Sequence, residues 1–238
     1  MKDKYFGDEH DFRKYVLLKF LQEECKWSIF INWMRTTFEP AVKAGTKKQR
    51  DGNMRNLEKL SLVDPEIYTA LQPSCQAEKR HVSEFKKLSI LNNFNVYEEE
   101  VPDSNSGKNL AVKRQEWFNT FIKLSSSYDL IFFDPDNGIE VKSTGKGQKN
   151  SYKYLFRDEI KRVYDRGQNI LIYQHRNRQS SEVQISEKLD LLKKIAPTFD
   201  IRQFPAGSSV NYFLMSRPEC KFNGLDKKWN QCFAAKLS

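Results

Sequence analysis

Apolar positions along the chain fall into two kinds of run. The first repeats at intervals of three and four: FRKYVLLKFLQEECK sets Phe12, Tyr15, Val16 and Phe20 among charges, a helical spacing with Asp8 or Asp11 available as its cap. The same period runs through LVDPEIYTALQ, where Asp64-Pro65 marks a helix start, and through HVSEFKKLSILNNF. It recurs in RQEWFNTFIKLSSS, where Trp117, Phe118, Phe121 and Ile122 share a face. The second kind of run is short and continuous. Trp27 to Met34, Tyr128 to Phe133, NILIYQH, FDIRQF and SVNYFLMSR are rich in β-branched and aromatic residues and too short for helices, and NVYEEEV adds another strand. YKYLFRDEIKRVYDRG, stopped by Gly167, and SEKLDLLKKIA supply helices between the later strands.

Strand, helix, strand, helix, strand, strand is the grammar of an α/β fold, and continuous apolar runs predict strands covered on both faces. The expected architecture is a doubly wound, mostly parallel, Rossmann-like sheet, in a single domain over residues 1–238. A long basic loop at about 36–56, with Pro40, Gly45 and Gly52, interrupts the pattern; Asp51-Gly52 within it reads as a turn.

Charge adds a gradient. The formal net charge is +9, and residues 140–238 carry 19 basic and 10 acidic side chains, whereas residues 61–139 carry 8 and 12. Such an excess suits a polyanionic partner, nucleic acid first, or else a solvated lysine-rich surface. Cys25, Cys75, Cys220 and Cys232 have neither C-x-x-C nor zinc-site spacing, so free thiols in a reducing compartment are expected. No apolar run approaches the roughly 20 residues that span a bilayer, so no membrane partner and a cytoplasmic location are expected.

The stretch LIFFDPDNGIEVK concentrates the candidate chemistry. In an open parallel sheet, ligands bind beyond the carboxyl ends of the strands, and Asp134, Pro135, Asp136 and Asn137 fall directly after an apolar strand. Pro135 restrains its neighbour and Gly138 permits a sharp departure, which would hold these oxygens in place; a local Asp/Asn/Gly turn is the plainer alternative. Gln174, His175 and Arg176 close the next buried strand and fall at the same edge if the two strands are parallel neighbours. KSTGKGQKNSYK follows as a Gly/Lys loop suited to closing over an anion, without the P-loop pattern. His81 reads as a solvated surface residue, and Arg114 and Trp117 as a surface charge and a packing residue.

From the DPDN strand to VNYFLMSR, the chain resembles the second half of class I S-adenosylmethionine-dependent methyltransferases, whose amino-directed members end the fourth strand in [DNS]-P-P-[YF]. The resemblance implies that Asp134 and the Pro135 carbonyl accept hydrogen bonds from a target amine. The opening YFGDEHDFRKYVLLKFL is loosely similar to the start of bacterial ribosomal-RNA adenine-N6 methyltransferases of the J type, which implies Tyr5, His10 and Lys14 as pocket residues. Asp136 and Asn137 stand where that motif has proline and an aromatic, and no G-x-G follows the first strand.

Three functional expectations follow. The first is S-adenosylmethionine-dependent methyl transfer to an exocyclic amine of nucleic acid. Its cofactor would be held by Asn32, Trp33 and Arg35, its amine by Asp134 and Asn137, and Tyr5 or Phe133 would wall the base, with His175 at the same edge. The second is a Mg²⁺-dependent nuclease or phosphohydrolase using Asp134, Asp136 and Glu140, with Lys142 nearby. The third is a non-catalytic nucleic-acid-binding module on a methyltransferase-like scaffold.

Overall fold

Alternate residues of the central apolar runs, Ile29–Asn32, Leu130–Phe133 and Val210–Ser216, turn to opposite sides and find a helix layer on both, so these become fully buried strands, whereas Phe94–Tyr97 and Asp200–Pro205 at the sheet edges stay partly exposed. A computed structural model of the chain describes residues 3–36, 60–77, 80–175, 181–206, 210–220 and 224–234. In chain order the strands are β1 (Ile29–Asn32), β2 (Phe94–Tyr97), β3 (Leu130–Phe133), β4 (Gly138–Ile139), β5 (Tyr154–Leu155), β6 (Asn169–His175), β7 (Asp200–Pro205) and β8 (Val210–Ser216). Six of them form one sheet in the order β2-β1-β3-β6-β8-β7. β1, β2, β3 and β6 are mutually parallel, and β8 runs antiparallel between β6 and β7. The short β4 and β5 pair with each other, in parallel, outside that sheet.

The helices are α1 (Glu9–Cys25), α2 (Pro65–Gln76), α3 (Leu110–Leu124), α4 (Arg157–Tyr164), α5 (Ser181–Ile195) and α6 (Leu225–Trp229). One core layer joins Ile29, Ile31, Leu130 and Phe132 to α1, α2 and α6. The other joins Phe30, Ile131, Phe133 and Ile170 to α3, α4 and α5. By this alternation Asp134, next in phase after Leu130 and Phe132, turns toward α1. No helix among the described residues is long and apolar enough to cross a membrane.

The chain leaves β1 for β2 on one side, then returns past β1 to lay β3 on the other. The order therefore reverses at β1 and β3, whose carboxyl ends flank the crevice where open α/β sheets bind ligands.

Several elements differ from their sequence expectation. HVSEFKKLSILNNF forms only a 3-10 helix, Val82–Lys87: the buried Val82 and Phe85 lie three apart, which that helix also satisfies, and Ser89 and Asn93 take left-handed backbone. The helix expected from Tyr152 begins at Arg157, because Tyr154 and Leu155 are drawn into pairing with Gly138 and Ile139. The first strand is shorter than Trp27 to Met34, ending at Asn32. α6 carries no periodic apolar run in its sequence and went unread. Apart from Thr36, the basic loop at about 36–56, with Asp51-Gly52, lies outside the described residues, as does Arg176.

Candidate functional site

Asp8 starts α1, accepting hydrogen bonds from the backbone N–H groups of His10 and Asp11 at 2.9 and 3.0 Å. That cap fixes the first turn, from which Asp11 and Lys14 project one turn apart toward the sheet. The Lys14 ammonium donates to Asp11 Oδ1 at 2.8 Å and to Asp134 Oδ2 at 2.7 Å. Asp11 Oδ2 accepts from the Gly7 N–H and the Tyr15 hydroxyl at 3.0 and 3.1 Å. Lys14 also lies 5.3 Å from the Trp33 ring centre and 5.8 Å from that of Tyr173. All three charged side chains are buried.

Burial opposes the ammonium, but Asp11 and Asp134 outweigh it and hold the Lys14 pKa well above the ordinary lysine value. Burial pushes the Asp134 carboxyl up against the pull of Lys14. Asp8 is driven up to about 7, by burial and then by repulsion from Asp11. Two buried carboxylates, Asp11 and Asp134, thus converge on one ammonium beside the β3 carboxyl end.

At the end of β1, Asn32 is fully buried; its Oδ1 accepts from the Met34 N–H at 2.9 Å, while its Nδ2 has no hydrogen-bond partner among the described residues. Met34 takes φ +46°, a left-handed turn with no glycine to make it. Such backbone costs an ordinary residue about 1–2 kcal/mol, so the chain leaves β1 by a sharp turn that no glycine marks in the sequence. Trp33 is not a strand-end ligand-facing ring: it packs edge-on against Tyr15, Phe85 and Phe132 in the core beneath Lys14. Arg35 turns to Asp3 and Glu100, at 3.6 and 3.9 Å, and braces the N-terminal turn rather than joining the Lys14 group.

After β3 the chain is held by Gln174. Its Nε2 donates to the Asn137 carbonyl at 3.0 Å and its Oε1 accepts from the Ile139 N–H at 3.0 Å. Gly138, at φ +103°, lies flat on that amide. Pro135 is buried, and Asp136 and Asn137 are half-buried. Glu140 turns away, meeting the Arg157 N–H at 3.1 Å and Arg157 Nε at 3.2 Å. Asp134, Asp136 and Glu140 therefore do not converge, and no group of three or more metal-ligating side chains occurs among the described residues. The Mg²⁺ ligand set expected from their closeness in sequence is not assembled.

The N-terminal residues reach the same edge. His10 lies close enough to Arg13, Lys14 and His175 to feel their charge; burial first, then Arg13 and Lys14, lower its pKa to about 4, and its Nδ1 has no hydrogen-bond partner among the described residues. His175 is exposed at the end of β6. Tyr5, half-buried, closes the turn before α1 by accepting the Asp8 N–H at 3.1 Å. Phe133 is no base-stacking wall, since it packs against Phe118 and Phe121 on the far face.

Arg114 is not a surface charge. It is fully buried, donating to both Glu159 oxygens at 2.7 and 2.9 Å and to the Ser151 and Tyr154 carbonyls at 2.9 and 2.7 Å. The Gly/Lys loop is thus clamped at its return end to α3 and α4. His81 is half exposed and pairs with Asp3 at 3.4 Å.

A surface cleft of about 550 Å³ lies elsewhere, between α1, α2 and the segment around Leu88, and includes none of the strand-end residues. The charge cluster is the better candidate, because its groups are buried, coupled and placed at the strand-order reversal. Sequence reasoning offered Asp11 only as an alternative cap to Asp8 and placed Tyr15 only in the apolar repeat; an Asp and a Lys three apart on an otherwise apolar helix face were the available signal. The chain matches no protein-family model, no curated protein and no solved structure at a significant level.

Proposed function

We propose that the chain is an S-adenosylmethionine-dependent methyltransferase that acts on an exocyclic amine of a nucleic acid. The observation that carries this reading is Lys14, drawn from the N-terminal helix into a buried bridge with Asp134 of the DPDN turn and with Asp11. The bridge joins the two segments whose sequences resemble methyltransferases, although they are separated by 120 positions.

Charge supports the same choice of ligand. A site lined by the buried Asp11 and Asp134 carboxyl groups suits cationic groups better than phosphate unless a metal intervenes. S-adenosylmethionine carries a sulfonium and an ammonium, and the unpartnered Asn32 amide offers a donor to one of its acceptor groups. When bound, the donor supplies an electrophilic methyl group. The protein's part is positioning: Lys14 fixes the Asp134 carboxylate, and Gln174 fixes the turn that follows it. Asp134 and the Pro135 carbonyl orient the amine, and the Asp134 carboxylate, made more basic by burial, accepts the proton that the methylated nitrogen gives up.

The test is transfer of isotopically labelled methyl from S-adenosylmethionine to single-stranded RNA or DNA. Incorporation by the native chain and its loss in Asp134→Ala support the reading. No incorporation into either polymer, or the same incorporation in the variant, overturns it; nucleic-acid binding without donor binding would identify a binding module instead.

A further inference from the structure

Two lysine-bearing stretches that flank the DPDN strand in sequence, 104–115, SNSGKNLAVKRQ, and 141–157, VKSTGKGQKNSYKYLFR, contain no acidic residue. The fold brings them together. A Cβ on Gly147 would come within 3.8 Å of Ala111 Cβ, and Arg114 at the start of α3 grips the carbonyls of Ser151 and Tyr154. The second stretch leaves the DPDN turn through β4 and returns beside it, where the Lys153 carbonyl accepts the Asn137 N–H at 2.9 Å. α3 and α4 each lead into a parallel strand, so their N-terminal turns stand at the carboxyl edge of the sheet, as the candidate site does.

Charge on this rim is only partly cancelled. Lys146 is taken by Asp158 and Arg157 by Glu140. Lys108, Lys113, Lys142, Lys149 and Lys153 have no carboxylate partner among the described residues, and all but Lys153, which is half-buried, are exposed. Between them stand Ser104, Asn105, Ser143, Thr144, Gln148 and Asn150, short donors of the kind that contact phosphate oxygens. The only large apolar side chains exposed in these two stretches are Val112 and Val141, too little for insertion into a bilayer.

We propose that this lysine rim, on the α3 and α4 side of the DPDN turn, is the track for the phosphate backbone of a single-stranded nucleic acid. The proposal rests on the methyltransferase reading for its purpose but not for its test. It divides the labour at the carboxyl edge: the buried acidic cluster repels phosphate, and the rim beside it attracts phosphate. A strand held on the rim presents its bases toward Asp134 while its backbone stays off the acids.

The test uses fluorescence anisotropy with a labelled single-stranded RNA of about 20 nucleotides, and the same sequence as DNA, without methyl donor. Lys108→Gln/Lys142→Gln/Lys149→Gln is compared with Lys123→Gln/Lys193→Gln/Lys194→Gln, which removes equal charge from the last turns of α3 and α5 at the opposite edge. We expect the rim variant to bind at least about tenfold more weakly and its log K against log salt slope to shrink by about 2, from about 0.7 per lost phosphate contact, with the control close to native. Equal weakening in both variants, or none in the rim variant, overturns the proposal, as does tighter rim-dependent binding of an acidic peptide or of anionic vesicles. S-adenosylmethionine titration of the rim variant keeps the two readings apart. Donor binding retained while RNA binding falls locates the defect on the rim; RNA binding intact in a chain that never binds donor sinks the methyltransferase reading alone.

Discussion

Gly138 and Gln174 are fitted to each other: a Cβ built on Gly138 would lie 2.4 Å from the Gln174 side-chain amide. That amide is buried and holds the backbone on both sides of the glycine, at Asn137 and Ile139. The turn carrying the DPDN oxygens is therefore pinned to the neighbouring parallel strand, not left to its local preference.

Gly138→Ala displaces Gln174 and adds positive-φ strain. With two or three hydrogen bonds at about 1 kcal/mol each and about 1 kcal/mol of backbone strain, the loss is about 3–4 kcal/mol in urea unfolding. In a Gln174→Ala background the same substitution costs only about 1 kcal/mol, the strain alone. Equal costs in the two backgrounds contradict the interlock.

Lys14→Met removes the ammonium that two buried carboxyl groups share. Breaking a buried pair in this way costs about 3–5 kcal/mol. Adding Asp134→Asn recovers part of the loss, because one uncompensated charge is removed with it. Thermal unfolding of the two single variants and the double variant checks this; strictly additive losses would show that the ions act independently.

Arg114→Met removes the two-pronged partner of the buried Glu159, leaving it the Phe156 N–H at 3.0 Å and Lys146 at 3.9 Å, and frees the carbonyls of Ser151 and Tyr154. A destabilisation of about 3–5 kcal/mol is expected, with proteolytic nicking rising selectively between Lys142 and Asn150. Nicking distributed evenly over the chain contradicts the clamp.

Stability against pH separates Asp8 from His10. The Asp8 pKa rises on folding, from 3.8 to about 7, so its contribution is complete below pH 3.8 and is lost as pH climbs toward 7. The His10 pKa falls on folding, from 6.5 to about 4, so its contribution is complete above pH 6.5 and is lost as pH drops toward 4. The two slopes oppose each other between about pH 4 and 6.5. Asp8→Asn, which keeps the cap acceptor, makes stability rise more steeply with pH in that window; His10→Gln makes it fall. Unchanged slopes in both variants contradict these assignments.

What the sequence disclosed was what depends on near neighbours. NILIYQH became β6 residue for residue, and Asp64-Pro65 started α2 with the Asp64 side chain accepting the Ile67 N–H at 3.0 Å. Partnerships across the fold were hidden. Lys14 entered the reading through a family resemblance, with nothing to reveal its bridge to Asp134. Arg114 was misread because Glu159 lies 45 positions away. Glu140 was grouped with its sequence neighbours when its partner is Arg157, 17 positions on. Met34 concealed a left-handed turn that a glycine would have announced.

The central claim is that the Asp11, Lys14 and Asp134 group forms part of a binding site for a cationic methyl donor. Calorimetric titration of S-adenosylmethionine into the native chain and into Asp134→Asn measures it most directly. Saturable binding to the native chain, weakened at least about tenfold (about 1.4 kcal/mol) in a folded Asp134→Asn, is the predicted result. No binding to the native chain, or equal affinity in the two, would contradict it.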